Sequence, residues 1–498
     1  VCAMEQEFET EKLSCLDTLV CQTQNSELTQ ELKLPEGLPD VGRILTCWGQ
    51  EILRAKEWRL DEVVVTGGVM VWVLYLPEEG GAPQTVNTWL PFQMKWELPE
   101  GAPEGMIRVC ARIRSADART VSPRKILVRC GVGLRTEAAV PAGAETIRAG
   151  DAPEGVELLR EKVSLSLQKE LGERTFFLEE ELTPGGAEKL LYYSLSPEIL
   201  EQKVMGNKIA FRGNGNLHVL CLCEDGQAAA EDFSLPFSQF ADLSETYGTQ
   251  AQADLIPAVT DLELELDEEG KLRLKAEVLG QYRITEPTEL EIVTDGYAPG
   301  RKLELERSTL ELPRILDSQE KRIAAEQSTA AQSGSLVDSR VLADFPRQRK
   351  TEAGVALIFP GSFQTLCYGD DGTLLAAGGR FEAEQMVPAG EAVTVTAWIG
   401  KPAEPQIGFE NGTMTFRTEL PVWIRQETRE PIPVITGLTP GENRERDANR
   451  PSLILRRNSG VRLWDLAKEA GSTVEAIRKA NALEGDPTPG QMLIIPVL

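Results

Sequence analysis

Histidine is almost missing: His218 is the only one in 498 residues. One histidine cannot build an HExxH zinc site, and it restricts any Ser–His or Cys–His pairing to a single position. No GxxxxGK[ST] phosphate loop is present, nor a GxGxxG turn between a strand and a helix. No apolar run approaches the roughly 20 residues that a membrane-spanning helix needs. Positive charge is short too: 52 Lys and Arg stand against 78 Asp and Glu, a net charge of −26. An acidic surface repels nucleic acid and anionic membranes, because no basic excess displaces counterions from phosphate. Proteins or neutral glycans are the expected partners. The first residues, "VCAMEQEFETEKLSC", have neither the basic start nor the apolar stretch of a secretory leader. The nine cysteines are odd in number and irregularly spaced, which fits a reducing compartment better than a disulfide framework. The cytoplasm is the expected location.

What is present is a period. "VLYLPEEG" (Val73–Gly80), "VLCLCEDG" (Val219–Gly226) and "TLCYGDDG" (Thr365–Gly372) match closely, and 219 − 73 and 365 − 219 both give 146. A second landmark follows each: "LPF" ending at Phe92, "LPF" at Phe237 and "GRF" at Phe381. Equal spacing argues for three copies of one domain. Each motif reads as a strand entering an acidic hairpin turn, in which glycine supplies the positive φ. In the first copy Val69, Val71, Val73 and Tyr75 share one face, while Met70, Trp72 and Leu74 share the other. Apolar character on both faces marks a central strand. "KILVRCGVGL" (Lys125–Leu134), "KLRLKAEVLG" (Lys271–Gly280) and "TMTFRTELPVWI" (Thr413–Ile424) add late strands to each copy. The expected fold class is mainly β: three sandwich- or barrel-like units followed by a small α+β (βααβ) domain. The expected boundaries are 1–145, 146–297 and 298–437 for the three units, 438–451 for a linker and 452–498 for the last domain. "TIRAGDAPEGVE" (Thr146–Glu157) and "GYAPGRK" (Gly296–Lys302) read as connections between units. "SQEKRIAAEQSTAAQSGS" (Ser318–Ser335) lacks strand pattern and reads as a helix or a mobile insertion. "TPGENRERDANRP" (Thr439–Pro451) reads as a flexible tether.

The C-terminal stretch carries its own pattern. "SLILRR" (Ser452–Arg457) is a strand. Leu463, Trp464, Leu466, Ala467 and Ala470 form a helical face, and Gly471 ends that helix. Ser472 and Glu475 fit an S-x-x-E capping box for a second helix, with Val474, Ile477 and Leu483 on its inner side. "MLIIPVL" is the closing strand. Residues 452–498 hold six Lys/Arg and five Asp/Glu, a charge of +1, so the rest of the chain carries −27. Trp464 is the only aromatic residue there and reads as core.

This module resembles the LysM domain. The matching residues are Leu463–Ala467, Thr473–Ile477, Ala480-Asn481, Pro489–Gln491 and Leu493–Pro496. The resemblance implies a partner surface on the loops that flank the family's groove, here Gly460, Val461, Arg462, Glu484, Gly485, Asp486, Pro487 and Thr488. LysM domains commonly hold N-acetylglucosamine glycans there. The family's Asp-Thr before Leu-Trp is replaced by Val461-Arg462, so the oxygen that caps the first helix, worth about 1 kcal/mol, is missing. "LPEGLPDVGRIL" (Leu34–Leu45), "LPF", "EGM" (Glu104–Met106) and "SPRKILVR" (Ser122–Arg129) resemble the SPOCS pattern. With the terminal LysM, the whole chain is similar to the SipL-type spore-coat morphogenetic proteins. That resemblance implies a non-enzymatic scaffold at the forespore surface in the mother-cell cytoplasm. Its partners would be a coat-basement ATPase of the stage IV sporulation protein A type and other coat proteins. The alternative is a module that docks on peptidoglycan.

Chemistry elsewhere has bland readings. Cys221 and Cys223 point the same way in a strand but lack a second Cys/His pair. His218 reads as structural. The turn acids Glu78-Glu79, Glu224-Asp225 and Asp370-Asp371 lack a full calcium loop. A wall hydrolase would need two carboxylates facing across a cleft, and the lone histidine and leaderless start weigh against it. No catalytic residue, metal or cofactor is expected.

Overall fold

The computed structural model describes residues 10–147, 152–331, 334–443 and 451–498. The chain is mainly β, in small antiparallel sheets, with a short α+β region at the C-terminus. Strands β1 (Thr10–Lys33), β2 (Val41–Trp58), β3 (Glu62–Pro77), β4 (Gln84–Glu97), β5 (Met106–Ser122) and β6 (Lys125–Ile147) form two sheets, ordered β1-β6-β5 and β2-β3-β4. Strands β7 (Glu157–Leu182), β8 (Ala187–Met205), β9 (Lys208–Cys223), β10 (Ala228–Asp242), β11 (Gln252–Leu266) and β12 (Leu272–Tyr297) do the same, as β11-β12-β7 and β10-β9-β8. The next ten are β13 (Arg301–Leu310), β14 (Arg314–Ala330), β15 (Ser335–Ala343), β16 (Arg347–Thr351), β17 (Gly354–Tyr368), β18 (Leu374–Val387), β19 (Val393–Ile399), β20 (Gln406–Glu410), β21 (Thr413–Thr428) and β22 (Ile432–Asn443). Here β14-β21-β19 and β15-β17-β16 carry β20 and β18 as added strands, and β13 pairs with β22. In each group both main sheets contribute to one apolar core.

β3 shows why this sequence makes a central strand. Val69, Val71, Val73 and Tyr75 fill the first core. Trp72 and Leu74 point the other way, into a cluster shared by all three groups. The β3–β4, β9–β10 and β17–β18 hairpins each turn on a glycine with positive φ, at Gly80, Gly226 and Gly372. The turn acids serve the turn: Asp225 and Asp371 accept the backbone N–H groups of Gln227 and Thr373, each at 2.9 Å. The "LPF" and "GRF" landmarks also have a physical cause. Phe92, Phe237 and Phe381 sit directly across from Gly67, Gly213 and Gly361 on the neighbouring strand. The ring lies where a Cβ would stand, so glycine and phenylalanine form an interlocking pair.

The three groups close on one another. Leu74, Leu220 and Leu366, spaced 146 apart, are buried in a single cluster with Leu45 and Leu191. At the same level Thr46 donates to Gln364 at 2.6 Å, joining first and third groups, and the Tyr368 hydroxyl accepts the Ala228 N–H, joining second and third. First and second are joined by Gln50, which accepts the Leu195 N–H at 2.8 Å. A second, ionic junction is buried elsewhere. Arg283 holds both oxygens of Glu137, at 3.0 and 3.1 Å. Arg108 reaches Asp254 at 2.9 Å and Glu137 at 3.4 Å. Arg425, from the third group, reaches Glu137 at 3.6 Å and Glu427 at 2.8 Å. Trp398 stacks on the guanidinium groups of Arg108 and Arg283. Ion pairs this deep contribute less to stability than their attraction suggests, because each charge loses its hydration, but they are costly to break singly.

Two local expectations fail. Ser318–Ala330 is strand, part of β14, paired along its length with β21. Only Ile323 and Ala325 face the core, and the apolar partners come from Leu420, Val422 and Ile424 across the sheet. Thr439–Asn443 is not a tether but the end of β22, paired with β13. The rest of the expected tether, at 444–450, lies outside the described residues, as do 148–151 of the first connection. No helix among the described residues is long and apolar enough to cross a membrane.

Candidate functional site

The C-terminal module is built from β23 (Leu453–Arg457), α1 (Leu463–Ala470), α2 (Val474–Asn481) and β24 (Met492–Pro496), with the two strands antiparallel. Leu463, Leu466, Ala467, Ile477, Leu493 and Ile495 form its core. Gly471 ends α1 in the left-handed conformation at φ 63. Arg462 stands at the N-cap of α1 without a capping side chain, and Val461 packs against the core instead. Asp465 in the first turn faces the positive end of the helix and pairs with Arg462 at 3.1 Å. The cap of α2 differs from the expected capping box. Thr473, not Ser472, is the N-cap, and its hydroxyl accepts the Ala476 N–H at 3.0 Å. Ser472 is fully buried and its Oγ has no hydrogen-bond partner among the described residues.

Asn458 organises the predicted loops. It is buried, and its amide donates to the carbonyls of Pro487 and Thr488 at 2.9 and 3.3 Å. Its Oδ1 accepts the N–H groups of Gly460 and Val461 at 3.0 and 3.2 Å. One side chain thus sets Gly460, Val461 and Arg462 beside Pro487 and Thr488. Glu484, Gly485 and Asp486 are exposed on the same loop, and Asp486 lies 3.9 Å from Arg478. Pro487 is buried. The result is a small rim with Arg462 on one side and acids on the other. It has no aromatic face.

Trp464 is turned away from that rim and into the body. Its Nε1 donates to Asp295 at 3.0 Å, and its ring meets Tyr297 edge-on at 4.9 Å. Lys468 donates to the same Asp295 oxygen at 2.6 Å, and Arg307 holds the other at 3.1 Å. Burial alone would raise the Asp295 carboxyl, but the Lys468 and Trp464 hydrogen bonds outweigh it and hold it below the usual range. Tyr297 and Leu159 of the body join the module's core. Trp464 is core, as its pattern indicates, but Asp295 and Tyr297 of the second group of strands complete its surroundings.

The most conspicuous surface of the module was not among the sequence candidates. Leu453, Leu455, Met492 and Ile494 all lie exposed on the outer face of β23–β24, Leu455 at 68 %. "MLIIP" is apolar on both faces and "LILRR" is so over Leu453–Leu455, and a two-stranded sheet backed by helices on one side can bury only one face. That pattern was the available signal. The outer edge of β24 is clasped by Asn481, whose amide donates to Ile494 O and accepts from Ile494 N, at 2.6 and 2.7 Å.

Elsewhere, His218 lies in the middle strand β9, buried, with Nδ1 2.8 Å from Asp232 and Nε2 3.3 Å from Asp338. Burial, with Asp232 adding to it, pushes the Asp338 carboxyl up to about 7. Arg340 lies 3.6 Å from Asp338 and over the Tyr192 ring. His218, Asp338 and Arg340 are turned inward, and Asp232 stands at the surface. Cys221 is buried, which pushes its thiol up to about 12 and leaves it unreactive. No protein-family model matches the chain, and no curated protein or solved structure matches it significantly.

Proposed function

We propose that this chain is a non-enzymatic scaffold of spore-coat assembly of the SipL type. In this reading three SPOCS-like units close into one body, and the LysM-like module engages a coat-basement ATPase resembling stage IV sporulation protein A. The scaffold thereby tethers coat proteins to the forespore surface in the mother-cell cytoplasm. The observation that carries the reading is the exposed apolar face of Leu453, Leu455, Met492 and Ile494. A contiguous apolar patch on a folded domain suits a protein partner far better than a hydroxyl-rich glycan. Trp464, the one ring that could stack on a sugar, is committed to Asp295 and Tyr297. His218 is buried and held between the exposed Asp232 and the buried Asp338.

The second reading is peptidoglycan or N-acetylglucosamine binding, and the side-by-side loops at Gly460–Arg462 and Pro487–Thr488 favour it. Calorimetry on the full-length chain separates the two. The scaffold reading expects binding to the purified ATPase, weakened at least about tenfold by Leu455→Asp, the loss of one apolar contact at an interface core. Binding to chitin oligomers that survives Leu455→Asp, with no binding to the ATPase, would replace the scaffold by a wall-docking protein.

A further inference from the structure

A small cavity of about 20 Å³ lies inside the ionic junction, lined by Arg108, Arg135, Glu137, Arg283, Thr396 and Arg425 among others. All three groups of strands contribute to its wall. Its volume suits one water-sized occupant and excludes phosphate or a carboxylic acid.

Two buried donors in that wall are unused. Arg425 is 2 % exposed, and its Nη1 has no hydrogen-bond partner among the described residues. Thr396 is 6 % exposed, and its hydroxyl has none either. A buried donor left unmet is costly, so the pair calls for an acceptor between them. The wall holds more donors than acceptors. Its only carboxylate is Glu137, whose oxygens are already held by Arg283. Cys21 is engaged by Arg135 at 3.3 Å.

The charges point the same way. Four guanidinium groups line the cavity, and three carboxylates serve them: Glu137, Asp254 and Glu427. Arg429, farther out, is matched by Asp17. Burial pushes Glu427 up to about 7, which weakens the negative side further at neutral pH. Even with all three carboxylates ionised, the cluster keeps an excess of one positive charge. A species that only accepts hydrogen bonds and carries one negative charge answers both deficits.

We propose that the cavity is a binding site for one small monovalent inorganic anion of halide size, held by Arg425 Nη1 and the Thr396 hydroxyl. Bound there, the ion touches residues from all three groups and stabilises them as one body. It has no counterpart in the partner surface of the C-terminal module.

Thermal unfolding of the full chain at constant ionic strength tests this, with chloride or bromide replaced stepwise by gluconate, which is too large to enter. The expected result is a saturable rise in Tm with halide and none with gluconate. Thr396→Val keeps the shape and removes one donor to the ion. It should raise the half-saturating halide concentration about tenfold or more, the usual weight of a charged hydrogen bond. Anomalous scattering from a bromide-soaked crystal gives the second measurement, with a peak expected between Arg425 and Thr396. Equal Tm in chloride and gluconate would overturn the proposal. So would bromide peaks on the surface alone, an adventitious ion only, or a Thr396→Val chain with an unchanged halide response.

Discussion

Replacing Glu137 by glutamine tests the ionic junction most directly. The side chain is 8 % exposed and its two oxygens are held by Arg283, itself 3 % exposed. Arg108 and Arg425 add contacts at 3.4 and 3.6 Å. Glutamine keeps the shape but removes the charge, so buried guanidinium groups lose their main counter-ion. Breaking a buried pair from one side costs about 3–5 kcal/mol. For three groups that unfold together that is about 3–6 °C in Tm. The pH dependence follows. Burial would raise the Glu137 carboxyl, but Arg283 and Arg108 outweigh it and hold it below the usual range. Its folded pKa is therefore below its unfolded one, near 4.3. Its stabilisation is present above that value and is lost as pH falls through the folded pKa. The gap between the wild-type chain and Glu137→Gln should be full at pH 7 and shrink in acid. The assay is urea unfolding followed by tryptophan fluorescence and circular dichroism, with Trp398 reporting from the junction itself. Removing Arg283 as well, as in Glu137→Gln with Arg283→Met, should recover part of the loss, since no unpaired charge remains at that pair. A loss under about 1 kcal/mol would refute the argument, because it would mean that the cluster is solvated. A loss confined to the first group of strands would refute the claim that the junction binds three.

Asp338→Asn should flatten the pH dependence of stability. The folded carboxyl is pushed up to about 7, so the folded chain holds a proton that the unfolded chain releases from near pH 4. Stability therefore falls as pH rises across that interval, by as much as about 4 kcal/mol, with His218, Asp232, Arg340 and Lys401 as the surrounding charges. Unchanged slopes in thermal melts of the variant from pH 4 to 7 would contradict this. Gly213→Ala should cost about 3 kcal/mol in urea unfolding, since its Cβ would stand 1.9 Å from the Glu198 carbonyl and 2.8 Å from the Phe237 ring. Gly408→Ala, with open space around it, should be neutral in the same assay. In the C-terminal module, Thr473→Ala should lower stability by about 1 kcal/mol and Ser472→Ala by little, as read by hydrogen exchange in α2.

What could be read from the sequence divides along a physical line. Period-2 alternation with apolar residues on both faces marked β3 correctly, because such a strand advertises its burial in its own composition. β14 does not. Its inward residues are few and small, and its strand form is imposed by β21. Thr439–Asn443 has the composition of a loop and is held as strand by β13. The fold of the C-terminal module was legible residue by residue, apart from the one-residue shift of the cap. Its docking was not, because Asp295 and Tyr297 lie about 170 residues away in the chain. The ionic junction had one readable clue. Arg108 and Asp254 are 146 apart, and so are Glu137 and Arg283. Opposite charges at the same register of that period foretell that the two stretches meet.

The meeting of three groups in one polypeptide has an evolutionary consequence. In an assembly of three separate identical chains, every residue at the centre occurs three times, so each junction must repeat the same pair. Linked in one gene, the positions are free to diverge. At the register of Trp72 the centre has His218 and Gln364, and at that of Thr46 it has Tyr192 and Asp338. One junction joins histidine to aspartate and the equivalent one joins threonine to glutamine, two pairings that strict symmetry would not allow side by side. Covalent linkage thus lets one chain place a different chemistry on each side of its own centre, and mutation can tune each side alone.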